Sequence, residues 1–129
     1  MQLGLLSIMF LSLFYCLILL GVVAFQVGLI VGMPWGRLTQ GGKNEGPLPV
    51  SGRVAAGLSV IILAAMGASI LSAGGGWPNW PAWTGWAALG VNCLVTLANW
   101  ATPSVPERKL WGPITTVMLV IALAVVVPL

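Results

Sequence analysis

The chain has 129 residues, of which 59% are hydrophobic and only 5% are charged. A soluble domain of this size carries about 25% charged residues and cannot bury so much apolar surface. The composition therefore excludes a soluble globular fold and predicts an integral membrane protein. The charges are five Lys or Arg and two Glu, and the chain has no His. They lie at Arg37, Lys43, Glu45, Arg53, Glu107, Arg108 and Lys109.

The short supply of ionisable side chains argues against catalysis and against metal binding. General acids, general bases and most oxygen or nitrogen metal ligands are His, Asp and Glu, and both Glu lie outside the apolar stretches. Cys16 and Cys93 lie in separate apolar stretches without CxxC spacing, which predicts small buried hydrophobes. We therefore expect no enzymatic activity, no metal and no cofactor.

The first predicted span covers residues 5–31. No basic segment precedes it and no clear cleavage site follows it, so we expect a retained span and not a secretory signal. Gly32 and Pro34 predict its end, because glycine favours the C-terminal turn and proline cannot continue a helix. The loop at 34–52 is rich in Gly and Pro, and Ser51 is the predicted N-cap of the second span.

The second predicted span covers residues 53–73 and ends at three consecutive glycines, 74–76. A tryptophan-rich segment follows, with one ring every three residues: Trp77, Trp80, Trp83 and Trp86. The intervening prolines favour polyproline geometry, which would place the first three rings on one side. Two interpretations stay open for these rings: anchors at the membrane interface, or a cluster that packs on a partner or a pigment.

The third predicted span covers residues 83–101 and the fourth covers residues 110–129. Ser104 and Glu107 form a capping-box pattern, in which Ser104 would cap the last helix and Glu107 would reach back to Ser104. Four spans leave no room for a soluble domain. We therefore predict a single integral membrane domain over residues 1–129, all-α, folded as a four-transmembrane-helix bundle.

The basic residues predict the orientation of this bundle. With four spans, the loops at 34–52 and 102–110 lie on one side and together contain all five Lys and Arg. The positive-inside rule then places both loops in the cytoplasm and both termini outside it. Four basic side chains are candidates for contact with anionic lipid headgroups: Arg37, Arg53, Arg108 and Lys109. Five basic residues in two loops are too few for a nucleic-acid surface, so the lipid bilayer is the expected partner.

A stripe of polar side chains is the most informative feature inside the spans. Asn92, Thr96 and Asn99 stand at positions i, i+4 and i+7, which places them on one face of the third helix. Gln26 of the first span lies at a depth similar to that of Thr96, so we expect a hydrogen-bonded contact between the first and third helices. The stripe has two interpretations: hydrogen bonds that hold helices together, or the polar contact of a ligand site.

Small residues on the first span predict a surface for helix docking. Gly21, Gly28 and Gly32 are spaced by seven and four residues, which lets another helix approach closely. With the tryptophan-rich segment, they favour a non-catalytic protein that acts through helix packing, as an accessory subunit of a larger membrane complex or as a homo-oligomer. The alternative is a binder or conduit for a small lipophilic molecule at mid-membrane depth, with Asn92 as its polar contact.

Two segments carry a resemblance to a known family. In residues 33–53, PWG is followed by GG and then by LP and Arg, and residues 102–119 read TPSVPERKLWGPITTVML. The chain resembles a family of small, uncharacterised bacterial four-span membrane proteins. This resemblance implies a bacterial inner-membrane location and brings no activity, ligand or functional residue with it.

Overall fold

Four α-helices account for most of residues 4–128, the part of the chain that the structure, a computed structural model, describes. They are α1 (Leu5–Ile30), α2 (Val50–Ala73), α3 (Ala82–Ala101) and α4 (Val105–Val126), with two short 3₁₀ turns, Gly36–Leu38 and Gln40–Gly42, between α1 and α2. Three helices, α1, α2 and α4, are long and apolar enough to cross a membrane. The Trp, Thr and Asn side chains of α3 make that helix less apolar. The predicted helical fold with membrane-length apolar helices is confirmed, and a fourth span stays a prediction.

The helices form a bundle in which each packs against the next in the chain and α4 returns to α1. One end of the bundle, here called the loop end, carries the α1–α2 and α3–α4 connections. The Ser104 hydroxyl of the second connection donates to the Arg37 carbonyl of the first, over 2.7 Å. The two basic loops therefore lie at the same end, as the alternating direction of four helices predicts. The opposite end carries the glycine- and tryptophan-rich connection between α2 and α3 and is called the tryptophan end.

The end of α1 forms as its sequence predicts. Gly32 has a φ of +96°, a left-handed conformation that glycine adopts without steric cost. Its N–H donates to the Leu29 carbonyl and the Met33 N–H donates to the Gly28 carbonyl, at 3.2 and 3.0 Å. This pair of hydrogen bonds is a Schellman motif, which satisfies carbonyls that the end of a helix leaves free.

The start of α2 differs from the prediction. The helix begins at Val50, with extended Pro49 before it, so Ser51 is already helical and does not cap the helix. Leu48 is buried in the bundle and anchors the chain at this point. Pro49, which follows Leu48, is extended, and the helix starts directly after Pro49. This start is two positions earlier than a Ser51 cap requires.

Only one of the two hydrogen bonds of the predicted capping box forms at the start of α4. Ser104 is the N-cap, and its side chain accepts the Glu107 N–H over 3.3 Å, which confirms the predicted cap. The Ser104 N–H, however, donates to the Thr102 hydroxyl over 3.2 Å. The Glu107 carboxylate accepts from Thr102 and from the Gly41 N–H, so the prediction that Glu107 reaches back to Ser104 is wrong. The first loop supplies a donor that no local pattern could indicate.

The tryptophan-rich connection is a turn and not a continuous polyproline segment. Asn79 has a φ of +62°, which lies in the left-handed region and is incompatible with polyproline geometry. The Trp80 N–H donates to the Ser72 hydroxyl over 2.8 Å and ties the turn back to α2. All four predicted rings are exposed, and they are Trp77, Trp80, Trp83 and Trp86.

Two clusters of buried apolar side chains fill the bundle. The larger lies toward the tryptophan end and contains Tyr15, Leu19, Met66, Ile70, Ala88, Leu89, Met118, Ile121, Ala122 and Val125. The smaller lies at the loop end and contains Leu29, Leu48 and Ala56. Trp35 covers this smaller cluster, and its ring stacks on Phe25 with 5.4 Å between centroids. Because the two clusters are separate, the level between them is less completely filled.

Gly28 is buried within the bundle, so the prediction that it lies on an exposed docking surface is wrong. It is buried, and a Cβ atom added there would lie 2.1 Å from the Trp35 ring. Its smallness therefore serves a contact within the chain. Gly21 differs, because it is exposed and a Cβ atom there would meet nothing within 4 Å.

Gly28→Ala should destabilise the bundle, because the new methyl group overlaps the Trp35 ring. We expect a loss of about 1–3 kcal/mol, typical of overpacked sites, measured by thermal unfolding in mild detergent. Gly21→Ala is the matched control on the same helix and should leave stability unchanged or slightly raised, since Ala is the better helix former. An equal loss in both variants would contradict the contact between Trp35 and Gly28.

Candidate functional site

A buried polar network joins three helices near the middle of the bundle. The Tyr15 hydroxyl of α1 donates to Asn92 Oδ1 of α3 over 2.7 Å. Asn92 Nδ2 in turn donates to Thr96 Oγ1 and to the Thr115 carbonyl of α4, both over 3.2 Å. Asn92 is 2% exposed and Tyr15 is fully buried. Asn92 and Thr96 therefore use their polar atoms on the protein itself.

Tyr15 takes the place that the sequence analysis assigned to Gln26. The predicted contact between the first and third helices exists, but its partner on α1 is Tyr15, so the assignment to Gln26 is wrong. The reason is depth, because Gln26 lies about three turns closer to the loop end than Tyr15. Tyr15 is the only Tyr in the chain and lies in an apolar span, where a hydroxyl must find a partner inside the protein. A tyrosine hydroxyl in an apolar span was the sequence feature that could have identified Tyr15 as the partner of α3.

A cavity of about 240 Å³ lies between the two apolar clusters. All four helices and the first loop contribute to its walls. They are lined by Val22, Gln26, Thr39, Ser59, Ile62, Leu63, Met66, Val91, Val95, Asn99, Glu107, Trp111 and Thr115. Gln26 and Asn99, two members of the predicted polar set, meet at this cavity, whereas Asn92 and Thr96 are not among its lining residues. The walls are mostly apolar with a few polar groups, which is typical of small-molecule sites.

Glu107 also lines this cavity, although its sequence pattern predicted only a role in capping α4. It lies in the first turn of α4, is 7% exposed and lines the cavity. Oε1 accepts the Gly41 N–H over 3.2 Å and the Thr102 hydroxyl. Within residues 4–128 no donor bonds to Oε2, and that atom is not occluded. Glu107 therefore lines the cavity and has one carboxylate oxygen that accepts no hydrogen bond from the described residues.

The first loop closes the loop end of the cavity. The Trp111 indole N–H donates to the Leu38 carbonyl over 2.9 Å, and Thr39 forms part of the wall. Phe25 packs edge-on against Trp111, with 4.8 Å between ring centroids. The cavity is exposed instead between α2 and α3, where the lining residues Ile62 and Val95 are 50% and 39% exposed. Its opening therefore faces the side of the bundle.

A second, apolar groove lies next to this opening, between α2 and α3. This groove has about 260 Å³ and runs toward the tryptophan end, where Trp80 and Trp83 line it. Both cavities share Ile62, Met66 and Val91 as lining residues. The two cavities are therefore neighbours along the α2–α3 seam, with Glu107 in the lining of the first and the tryptophan rings in the lining of the second.

The predicted headgroup-binding residues lie at the loop end but outside the lining of the first cavity. They are Arg37, Arg53, Arg108 and Lys109. Arg53 has a structural contact, since its Nε donates to the Ile30 carbonyl at the C-terminal end of α1 over 2.8 Å. Cationic groups are favourable at that end of a helix. Contact of these residues with lipid headgroups stays a prediction.

Comparison with protein-family models, with curated proteins and with solved structures finds no match to this chain. Among residues 4–128, no three His, Cys, Asp or Glu side chains come together as a group that could hold a metal ion. The candidate functional site is the cavity between the two apolar clusters, because polar side chains from three helices, Gln26, Asn99 and Glu107, line it.

Tyr15→Phe should destabilise the protein, because it removes the donor to Asn92 and leaves a buried oxygen without its partner. We expect a loss between about 0.6 kcal/mol, the average for hydrogen bonds between membrane helices, and about 1.7 kcal/mol, the largest value measured for them. Thermal unfolding of Tyr15→Phe, Asn92→Ala and the double variant forms a double-mutant cycle. Strictly additive losses would mean that the two side chains do not interact.

Proposed function

We propose that the protein is a non-catalytic membrane protein that binds or conducts a small lipophilic molecule along the α2–α3 seam. The observation that carries this proposal is the cavity of about 240 Å³ with a polar loop end and an apolar remainder. Its opening faces the side of the bundle, so a molecule dissolved in the acyl chains has access to it. A purely structural bundle has no need of such a gap between its buried clusters.

The distribution of the polar residues favours this function over a role in helix packing alone. Asn92 and Thr96 are bonded within the chain, and they hold helices together. Gln26, Asn99 and Glu107 converge on the cavity instead, where they offer polar groups to a ligand. The glycine best placed for helix docking by spacing, Gly28, is already covered by Trp35.

The membrane setting we propose is a four-span bundle in a bacterial inner membrane. Twenty residues of α3 rise about 30 Å, the thickness of the hydrocarbon core. Asn92 of α3 bonds Tyr15 of α1, and Trp100 of α3 donates to Thr116 of α4 over 2.8 Å. These contacts support a position of α3 at the same depth as two membrane-length helices. The resemblance in the loop segments supports the bacterial location.

The orientation we propose has the loop end in the cytoplasm and both termini outside it. All five Lys and Arg belong to the two loop-end connections or to the helix turns next to them, and the tryptophan end carries none. The positive-inside rule supports this direction. It also places Arg37, Arg53, Arg108 and Lys109 close to anionic cytoplasmic headgroups.

A second candidate function is docking of another helix, from a larger membrane complex or from a second copy. The observation in its favour is Gly21, which is exposed on α1 with open space beside it. A neighbouring helix approaches closely at such a position. Exposed rings at the tryptophan end, Trp83 and Trp86, would add aromatic contacts.

Val95→Trp should close the cavity at its rim and remove bound lipophilic molecules. Native mass spectrometry of protein extracted in mild detergent should detect such a molecule on the original chain and not on this variant. Leu94→Trp is the matched control, since the neighbouring Leu94 is exposed and does not line the cavity. An original chain without any bound small molecule, or equal retention in both variants, would contradict cavity binding. The same spectra report the oligomeric state and so test docking.

Cysteine labelling from each side of the membrane tests the orientation. In a Cys16→Ala and Cys93→Ala background, Lys43→Cys should react with an impermeant maleimide only after cells are permeabilised. Trp77→Cys, at the exposed tryptophan end, should react in intact cells. The reverse pattern would mean that the bundle has the opposite orientation. Labelling of both positions from the same side would mean that α2 does not cross the membrane.

A further inference from the structure

The free oxygen of Glu107 indicates which chemical class of ligand the cavity takes. We infer that the site binds a lipophilic cation, with an amine or ammonium head at Glu107 and an apolar tail along the α2–α3 seam. This inference rests on the proposed function and names the ligand of the same cavity.

The burial and the hydrogen bonds of the Glu107 carboxylate favour a cationic ligand. Its side chain is more than nine-tenths buried, and its two hydrogen-bond donors, Gly41 N–H and Thr102 hydroxyl, are both neutral and both bind Oε1. No donor among the described residues bonds Oε2, and that oxygen is accessible to a small molecule. A buried carboxylate is most favourable when a positive charge lies next to it. An ammonium head in the cavity would supply both the missing donor and that charge.

The walls around Glu107 suit a positive head. None of the thirteen lining residues is Lys or Arg, so no cation of the protein competes for the carboxylate there. Trp111 also lines the cavity, and its indole N–H is already bonded to Leu38. The ring is thus held in place, and aromatic rings attract cations at short range. An anionic ligand would face the carboxylate and find no positive side chain in the lining.

The seam beyond this polar end suits an apolar tail. The second groove, of about 260 Å³, is lined by Ile62, Met66, Val91 and further apolar side chains, with the Trp80 and Trp83 rings at its far end. Because the two cavities share three lining residues, a tail that leaves the first cavity along the seam meets the apolar walls of the second. Neither space alone reaches the roughly 300–1,000 Å³ of a drug-sized site, so the tail must be slim.

Three probes of six carbon atoms each separate this inference from its alternatives: n-hexylamine, n-hexanol and hexanoate. Each is titrated by calorimetry into the full chain in nanodiscs of zwitterionic lipid, with empty nanodiscs subtracted. We expect hexylamine to bind about tenfold more tightly than hexanol, and hexanoate to bind least, since hydrogen bonds to charged groups are the stronger ones. Glu107→Gln should remove the preference for hexylamine over hexanol, because the amide side chain carries no charge.

The chain provides a matched control for the charge change. Glu45 is the only other acidic residue and lies exposed in the first loop, so Glu45→Gln changes the net charge equally and should retain the preference for hexylamine. Circular dichroism and thermal unfolding show whether Glu107→Gln is folded. If that variant does not fold, Val95→Trp in the same titration should abolish binding of hexylamine and hexanol together.

The outcomes distinguish the ligand class from the proposed function. Equal binding of hexylamine and hexanol, both lost in Val95→Trp, would overturn the cationic ligand and leave cavity binding intact. An equal loss of preference in Glu45→Gln and Glu107→Gln would overturn it too, because general surface charge would then be the cause. Absence of binding by every probe to the original chain, or binding that Val95→Trp does not change, would overturn both proposals.

Discussion

The constraint on which this structure depends is that the bilayer core offers no hydrogen-bond partners. Polar groups at that depth must bond within the protein. The Tyr15, Asn92 and Thr96 side chains meet this demand through a chain of contacts that ends on the Thr115 carbonyl and ties α1, α3 and α4 together. Glu107, in the first turn of α4 at the loop end, differs from them, because only one of its two carboxylate oxygens accepts hydrogen bonds from the described residues. That difference separates the polar groups that hold the bundle together from a carboxylate that lines the cavity.

The first loop is as much a part of the structure as the helices. Trp35 packs on Gly28 and Phe25. The Leu38 carbonyl accepts a hydrogen bond from Trp111 of α4, and the Gly41 N–H donates one to Glu107. The loop thereby closes one end of the cavity and positions the Glu107 carboxylate beneath it. A negative charge in the first turn of α4 is also favourable, because the helix dipole is positive there. The opening remains at the α2–α3 seam, which the loop does not cover.

Several features were predictable because they depend on neighbours in the sequence. Gly32 ends α1 through a local Schellman motif, and Ser104 caps α4 through a bond to a residue three positions on. The helical face shared by Asn92 and Thr96 follows from their spacing alone. Ser51 failed as a cap because the buried Leu48, a tertiary contact, sets where α2 starts. Gly28 failed as an exposed position for the same kind of reason, since Trp35 folds back over it.

The sequence by itself determined the helical class, the four apolar segments, the common end of the two basic loops and the polar face of α3. Each follows from composition, from periodicity or from the alternation of helix direction, none of which needs a knowledge of distant contacts. Only the tertiary structure decided that Tyr15 and not Gln26 bonds Asn92, that Gln26 meets Asn99 at a cavity, and that Glu107 faces it. These pairings join residues tens of positions apart, and they depend on how far each helix is shifted and rotated against its neighbours, which the packing of the whole bundle sets.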